Sequence, residues 1–180
     1  MKFDVGQKVA YPGQGVCLVE GVAERMIGSG LVKVYLLRVL GDNSTIFVPT
    51  ANALAVGIRP IITTTECGRL INELSEDFEG VSDNWKTRSR VFMDKLQSGD
   101  VFAAVDVLKQ LTYLSHGKRL SFREQTLLEK AKFLIVSEIS NSGFAMEELE
   151  KVETDVVTRV ETACTKHLGL QPDSMAAAHQ

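Results

Sequence analysis

Apolar positions along the chain follow two regimes, one with the short alternation of strands and one with the period of a helix. Over residues 1–60 short apolar runs are separated by glycine-rich punctuation, the pattern of a small sandwich or barrel. Residues 8–11 read as a first strand, closed by the turn Pro12-Gly13-Gln14-Gly15. Strands are expected at 16–27, 31–40 and 44–48, with Gly28-Ser29-Gly30 and Gly41-Asp42-Asn43 between them. Pro49 ends the last of these, because proline has no N–H for the ladder and favours sheet edges. Residues 53–56 are expected to add a final short strand. The 31–40 segment is apolar on both alternating faces, so one side fills an interior and the other needs a cover. Either the C-terminal half of the chain covers it or a partner does.

From Thr63 the period becomes helical. Thr63-Thr64-Thr65-Glu66 has the form of a capping box, a hydroxyl with an acid three residues later. Cys67, Leu70, Ile71, Leu74 and Phe78 then share a face. Residues 79–83 form a break, and a second helix is predicted over 84–97 with Trp85, Phe92 and Leu96 on one stripe. Ser98-Gly99-Asp100 supplies a stop and a new cap, followed by Val101, Val105, Leu108 and Leu111. His116-Gly117-Lys118-Arg119 interrupts this helix, and Ser121-Phe122-Arg123-Glu124 is a second capping box. Leu127, Leu128, Ala131, Leu134, Ile135 and Ile139 carry the next helix, which Asn141-Ser142-Gly143 breaks. Leu149, Val152, Val156, Val160 and Ala163 mark a last amphipathic helix. The expected division is a β module at 1–60, a helical module at 61–168 and a frayed tail at 169–180.

Composition sets the outer limits. With 180 residues, 44% hydrophobic and 24% charged, the chain is of globular type, long enough for one medium domain or two small ones. No apolar run approaches the ~18–20 residues that span a bilayer. The N-terminus lacks the apolar core of a signal peptide, so a cytoplasmic protein is expected. The net charge of −3 excludes a uniformly basic nucleic-acid coat. Its distribution is uneven, however: residues 1–63 carry +2 and the remainder −5. One basic run, Trp85-Lys86-Thr87-Arg88-Ser89-Arg90, stands inside the acidic part.

Signatures of catalysis are missing. The glycine turn at 12–15 lacks the Lys-Ser/Thr ending of a phosphate loop and precedes a strand. Gly28-Ser29-Gly30 lies between strands and reads as a hairpin turn. There is no Gly-x-Ser-x-Gly elbow. The three cysteines, Cys17, Cys67 and Cys164, are too scattered for a zinc site, as are His116, His167 and His179. The expectation is therefore no enzyme, no metal and no cofactor. Glu147, Glu148 and Glu150 suit the electropositive start of the last helix better than they suit acid–base work.

The segment 84–90 is the most informative. At ~100° per residue, Lys86, Arg88 and Arg90 fan over more than half of a helix circumference. They can flank a groove from both sides, with the indole at the helix start, where backbone amides favour a phosphate. An apolar side chain in such a place can wedge between base steps. The alternative is that Trp85 belongs to the core, since Phe92 and Leu96 lie on its stripe.

The chain resembles the CarD/CdnL family of bacterial transcription regulators. The resemblance rests on Val5-Gly6-Gln7-Lys8-Val9-Ala10-Tyr11-Pro12-Gly13-Gln14-Gly15-Val16, Tyr35-Leu36-Leu37-Arg38-Val39, Val48-Pro49 and Val56-Gly57-Ile58-Arg59. It continues in Asn84-Trp85-Lys86-Thr87-Arg88, Leu96-Gln97-Ser98-Gly99-Asp100 and Leu120-Ser121-Phe122-Arg123-Glu124, in order over roughly residues 1–160. It implies an α+β protein, with an N-terminal Tudor-like β-barrel that binds the β subunit of RNA polymerase and a C-terminal all-α domain that approaches promoter DNA. There a tryptophan wedges at the upstream edge of the transcription bubble and stabilises the open promoter complex. Trp85 matches that residue, and Lys86, Arg88 and Arg90 match backbone-contacting positions. Arg25, Ile46, Phe47, Val48 and Pro49 match the polymerase-binding edge; some members carry arginine where this chain has Phe47, so an apolar contact is expected there. A monomer with little DNA sequence specificity is implied. A protein–protein adaptor that uses the β module without DNA is the alternative.

Overall fold

A computed structural model describes residues 2–82, 84–143 and 149–169. Five strands come first: β1 (Lys8–Tyr11), β2 (Gly15–Ile27), β3 (Gly30–Val39), β4 (Thr45–Pro49) and β5 (Arg59–Pro60). They form one antiparallel sheet in the order β4-β3-β2-β1-β5. Five helices follow: α1 (Thr64–Glu73), α2 (Trp85–Gln97), α3 (Val101–Gly117), α4 (Phe122–Asn141) and α5 (Leu149–His167). The architecture is α+β, as the change of period requires.

Each half buries its own core. In the sheet, Val9, Cys17, Val19, Tyr35, Leu37, Val39 and Val48 pack with Phe3, Ala53 and Ile58. In the helices, the apolar stripes read from the sequence meet in a second cluster around Leu70, Phe92, Leu108, Leu111, Ile135 and Val156. Both capping boxes form: Thr63 with Glu66 at α1, and Ser121 with Glu124 at α4. The three cysteines are free and buried, and burial pushes the Cys17 thiol to about 11 and Cys164 to about 12. They pack as small apolar side chains. No helix among the described residues is long and apolar enough to cross a membrane.

Two expectations are corrected. Residues 53–56 form no strand; their amides close successive turns, Val56 N–H to Asn52 O and Gly57 N–H to Leu54 O. The fifth strand is instead Arg59–Pro60, which joins the free edge of β1. The second apolar face of β3 also has a local cover. Arg25 pairs with Val32 and Phe47 with Leu36, so both stand on the face of Val34. The Arg25 guanidinium lies 3.8 Å from the Phe47 ring centroid, and Val34 is 1% exposed. The expected frayed tail lies, from residue 170 onward, outside the described residues.

Among the described residues the two halves are joined by complementary shapes and by the Arg59–Glu138 ion pair. The Pro12 ring packs against Gly57 and Gly99, where an added Cβ would come within 3.1 Å of it. Phe133 of α4 fills a hollow over Gly41 and Gly15, where an added Cβ would sit 2.7 and 3.0 Å from its ring. Beside them, Arg59 donates Nη1 to Glu138 Oε1 at 2.5 Å, Nη2 to Oε2 at 2.9 Å, and Nε to the Gly99 carbonyl. Glu138 also accepts from the Ile62 amide. A carboxylate so buried is tolerated because both oxygens are satisfied.

Candidate nucleic-acid interface

The basic run occupies the first turns of α2. Asn84 caps this helix and accepts from the Lys86 and Thr87 amides at 3.1 and 3.3 Å. Two of the amides expected to greet a phosphate are therefore already bonded to the cap, and side-chain cations are the remaining anion contacts.

Trp85 is 58% exposed, although Phe92 and Leu96 on the same stripe are 2% and 3% exposed. Seven residues separate Trp85 from Phe92, which returns nearly the same helix angle. What differs is axial position: Phe92 and Leu96 face α3 and α4, while Trp85 stands about two turns before Phe92, at the start of the helix. The core reading of Trp85 is thereby corrected. Lys86 and Arg90 are exposed, and the Lys86 ammonium lies 5.8 Å from the indole centroid.

Arg88 departs from the expected role. It is 6% exposed; its Nη1 donates to the Ser82 carbonyl, and its Nη2 donates to Glu124 Oε1 at 2.9 Å. Glu124 also accepts from Lys118 Nζ and from the Ser121 amide and hydroxyl. Burial works against its charge, but these four donors outweigh burial and hold the carboxyl down at about 2. Arg88 thus braces the helix from inside, while Lys86 and Arg90 face solvent.

The structure adds residues that the sequence pattern did not single out. A cavity of about 600 Å³ opens between α2, the end of α3 and the start of α4, with Trp85 at its edge. Phe92 and Leu114 form apolar wall, Ser89 and Ser121 contribute hydroxyls, and Lys118 and Arg123 bring charge. Lys118, Arg119, Phe122 and Arg123 are all exposed, Phe122 at 85%. Three cations within six residues were visible in the sequence, but only folding places the α3–α4 turn beside Trp85.

The candidate polymerase edge is divided by its pleat. β4 ends the sheet order on one side. Val48 is 3% exposed and Ile46 packs against the same interior, so these two anchor the strand. Phe47, 41% exposed, and Pro49 point to the opposite face, with Arg25 stacked on Phe47.

Comparison with known proteins agrees with this organisation. Residues 3–62 match the CarD-like/TRCF RID domain, and residues 69–153 match the CarD C-terminal domain. The Bacillus subtilis (strain 168) protein named "Putative transcription factor YdeB" is 25% identical over 140 residues, 76% of this chain and 90% of that one. The solution structure of the 72-residue N-terminal domain of Myxococcus xanthus CarD is 30% identical, covers 33% of this chain and 79% of that chain, and has a TM-score of 0.29. With both characteristic domains in order over most of its length, the chain belongs to the CarD-like family of transcription factors.

Proposed function

We propose that the protein acts in the bacterial cytoplasm as a monomer that binds the β subunit of RNA polymerase through its sheet and stabilises promoter open complexes through α2. The observation that carries this reading is the exposure of Trp85 on a helix whose stripe partners Phe92 and Leu96 are buried. An exposed indole flanked by Lys86 and Arg90, with Lys118 and Arg123 across the cavity, has the makeup of a DNA wedge: cations position it on phosphates and the ring opposes restacking. These contacts carry little base readout. The free side of β4, with Phe47 and Arg25 presented outward, suits strand addition by a polymerase segment. Docking there raises the local concentration of the wedge at the upstream bubble edge, so an acidic protein with weak DNA affinity suffices. A gain of ~1.4 kcal/mol in open-complex stability shifts that equilibrium tenfold.

The test is the lifetime of open complexes formed by the cognate polymerase, with wild type and with Trp85→Ala. A longer lifetime with wild type that the variant loses, while both bind polymerase, supports the wedge. Equal lifetimes despite polymerase binding would leave the adaptor reading, in which the helices contact protein only.

A further inference from the structure

The connection between α1 and α2, residues 75–84, ends on Asn84, the cap of the tryptophan-bearing helix. Among the described residues Glu79, Gly80 and Val81 make no hydrogen bond, so the connection is held on either side of them. Downstream, Arg88 Nη1 donates to the Ser82 carbonyl. Upstream, the hold comes from the last turn of α5. His167 Nδ1 lies 2.7 Å from Asp77 Oδ1, and Lys166 Nζ donates to the Ser75 carbonyl at 3.2 Å. The imidazole also stacks on the Phe78 ring with centroids 4.5 Å apart, and Tyr113 of α3 meets both rings edge-on.

The Asp77 side chain is 72% exposed, so its pair with His167 adds little to global stability. An apolar ring would cover Phe78 and Tyr113 equally well. What the imidazole adds is a fixed place for Asp77 and Phe78. Only three residues separate Phe78 from Ser82, so a displaced Phe78 pulls on the carbonyl that Arg88 needs. Arg88 in turn sets the first turn of α2, which carries Trp85. We propose that the end of α5 is a clasp, with His167 the positioning residue that holds Trp85 in its DNA-facing attitude through Asp77, Phe78 and Ser82. The proposal rests on the open-complex reading and deepens it, because it places control of the wedge on the last helix. An imidazolium gives Asp77 a charge-assisted bond that a neutral ring does not, so the clasp is tight at low pH and loosens as pH rises through the histidine range. Asp77 stays ionised there, since His167 holds its carboxyl below the ordinary range. The other titratable groups around the contact are Glu73 of α1, Glu76 of the connection, Asp106, Lys109 and Tyr113 of α3, and Lys166 of α5.

Trp85 is the single tryptophan of the chain, so its fluorescence anisotropy reads the clasp directly. Anisotropy and amide exchange would be followed from about pH 5.5 to 8.5 on the full chain, with open-complex lifetimes alongside. The proteins would be wild type, His167→Ala, His167→Gln, Asp77→Asn and, because His116 also faces a carboxylate, His116→Gln. Wild-type anisotropy is expected to fall as pH rises, and His116→Gln should keep that profile. His167→Ala should be low and flat across the range, with amides of 78–82 and 85–88 exchanging about tenfold faster. Its open-complex gain should drop about three- to tenfold, the range for coupling through a packed segment. Its Tm should move by no more than about 4 °C. His167→Gln, which keeps a donor for Asp77, should recover part of the anisotropy without the pH dependence. Should His167→Ala fail to fold, Asp77→Asn, at an exposed site, decides with the same readouts. Wild-type anisotropy and exchange in these variants would overturn the clasp, as would a pH profile that survives without His167. Faster exchange throughout the helical module would make His167 merely structural and overturn the positioning role. A loosened Trp85 with full open-complex gain would overturn control of the wedge. No gain from wild type would overturn the open-complex reading itself, while anisotropy and exchange would still decide the clasp.

Discussion

Arg88 Nη2 donates to Glu124 Oε1 at 2.9 Å, and so ties the first turn of the tryptophan-bearing helix to the first turn of α4. Both side chains are largely buried, and Arg88 also reaches back to the Ser82 carbonyl. The pair fixes how α2, and with it Trp85, is presented beside the α3–α4 turn. An arginine in a basic run is here a brace for its neighbours.

Arg88→Ala is expected to destabilise the protein by about 3–5 kcal/mol, because it leaves Glu124 short of its buried partner. Lys86→Ala and Arg90→Ala should each stay within about 0.5 kcal/mol of wild type. Urea unfolding distinguishes them. In DNA-dependent assays, each of the two exposed substitutions should lower the salt dependence by roughly one phosphate contact.

The Glu124 carboxyl sits at about 2 in the folded protein, against an ordinary value of 4.5. A depressed folded value means that its contribution is complete above pH 4.5 and is lost as pH falls toward 2. The span corresponds to about 3 kcal/mol. Glu124→Gln should flatten the acid limb of a stability–pH profile over this window, measured by chemical unfolding at fixed salt.

Truncation at two positions on one stripe should give opposite outcomes. Phe92→Ala is expected to cost about 3–5 kcal/mol through its cavity. Trp85→Ala, at an exposed position, should cost less than about 1 kcal/mol and leave the circular dichroism spectrum unchanged. A large loss of stability for Trp85→Ala would return the indole to the core and remove the wedge.

Glu138→Ala would strip Arg59 and the Ile62 amide of a shared acceptor. An expected loss of about 3–5 kcal/mol follows from an unpaired, partly buried cation. Amide exchange should locate the damage: faster exchange at the β1–β5 pairing and in the middle of α4, with little change at the far β2–β3 hairpin.

Arg25 and Phe47 form one stacked unit on the sheet face, worth about 0.5–1 kcal/mol at an exposed site. If polymerase docks there, Arg25→Ala and Phe47→Ala should each weaken binding, and the double variant should lose less than the sum of the two. Calorimetry with the polymerase β fragment would measure the cycle; additive losses would argue for separate contacts.

Much of the fold was legible along the chain. Alternation and glycine turns marked the strands to within a residue or two, except near Ala53. Hydroxyl–acid spacing located the starts of α1 and α4, and the apolar stripes named most of the helical core. These features are local: a turn, a cap or a face is set by residues within a few positions of one another. The family motifs were legible too, because they are short and fall in order. What the chain could not express were relationships across long sequence separations. The burial of Arg88 depends on Glu124, 36 positions away, and that of Glu138 on Arg59, 79 positions away. Helical periodicity assigned Trp85 and Phe92 to one stripe, since it records angle and not where along the axis a neighbouring helix stops. Only tertiary packing decided that Phe92 meets that neighbour, that Trp85 overhangs it, and that Lys118 and Arg123 arrive beside the indole.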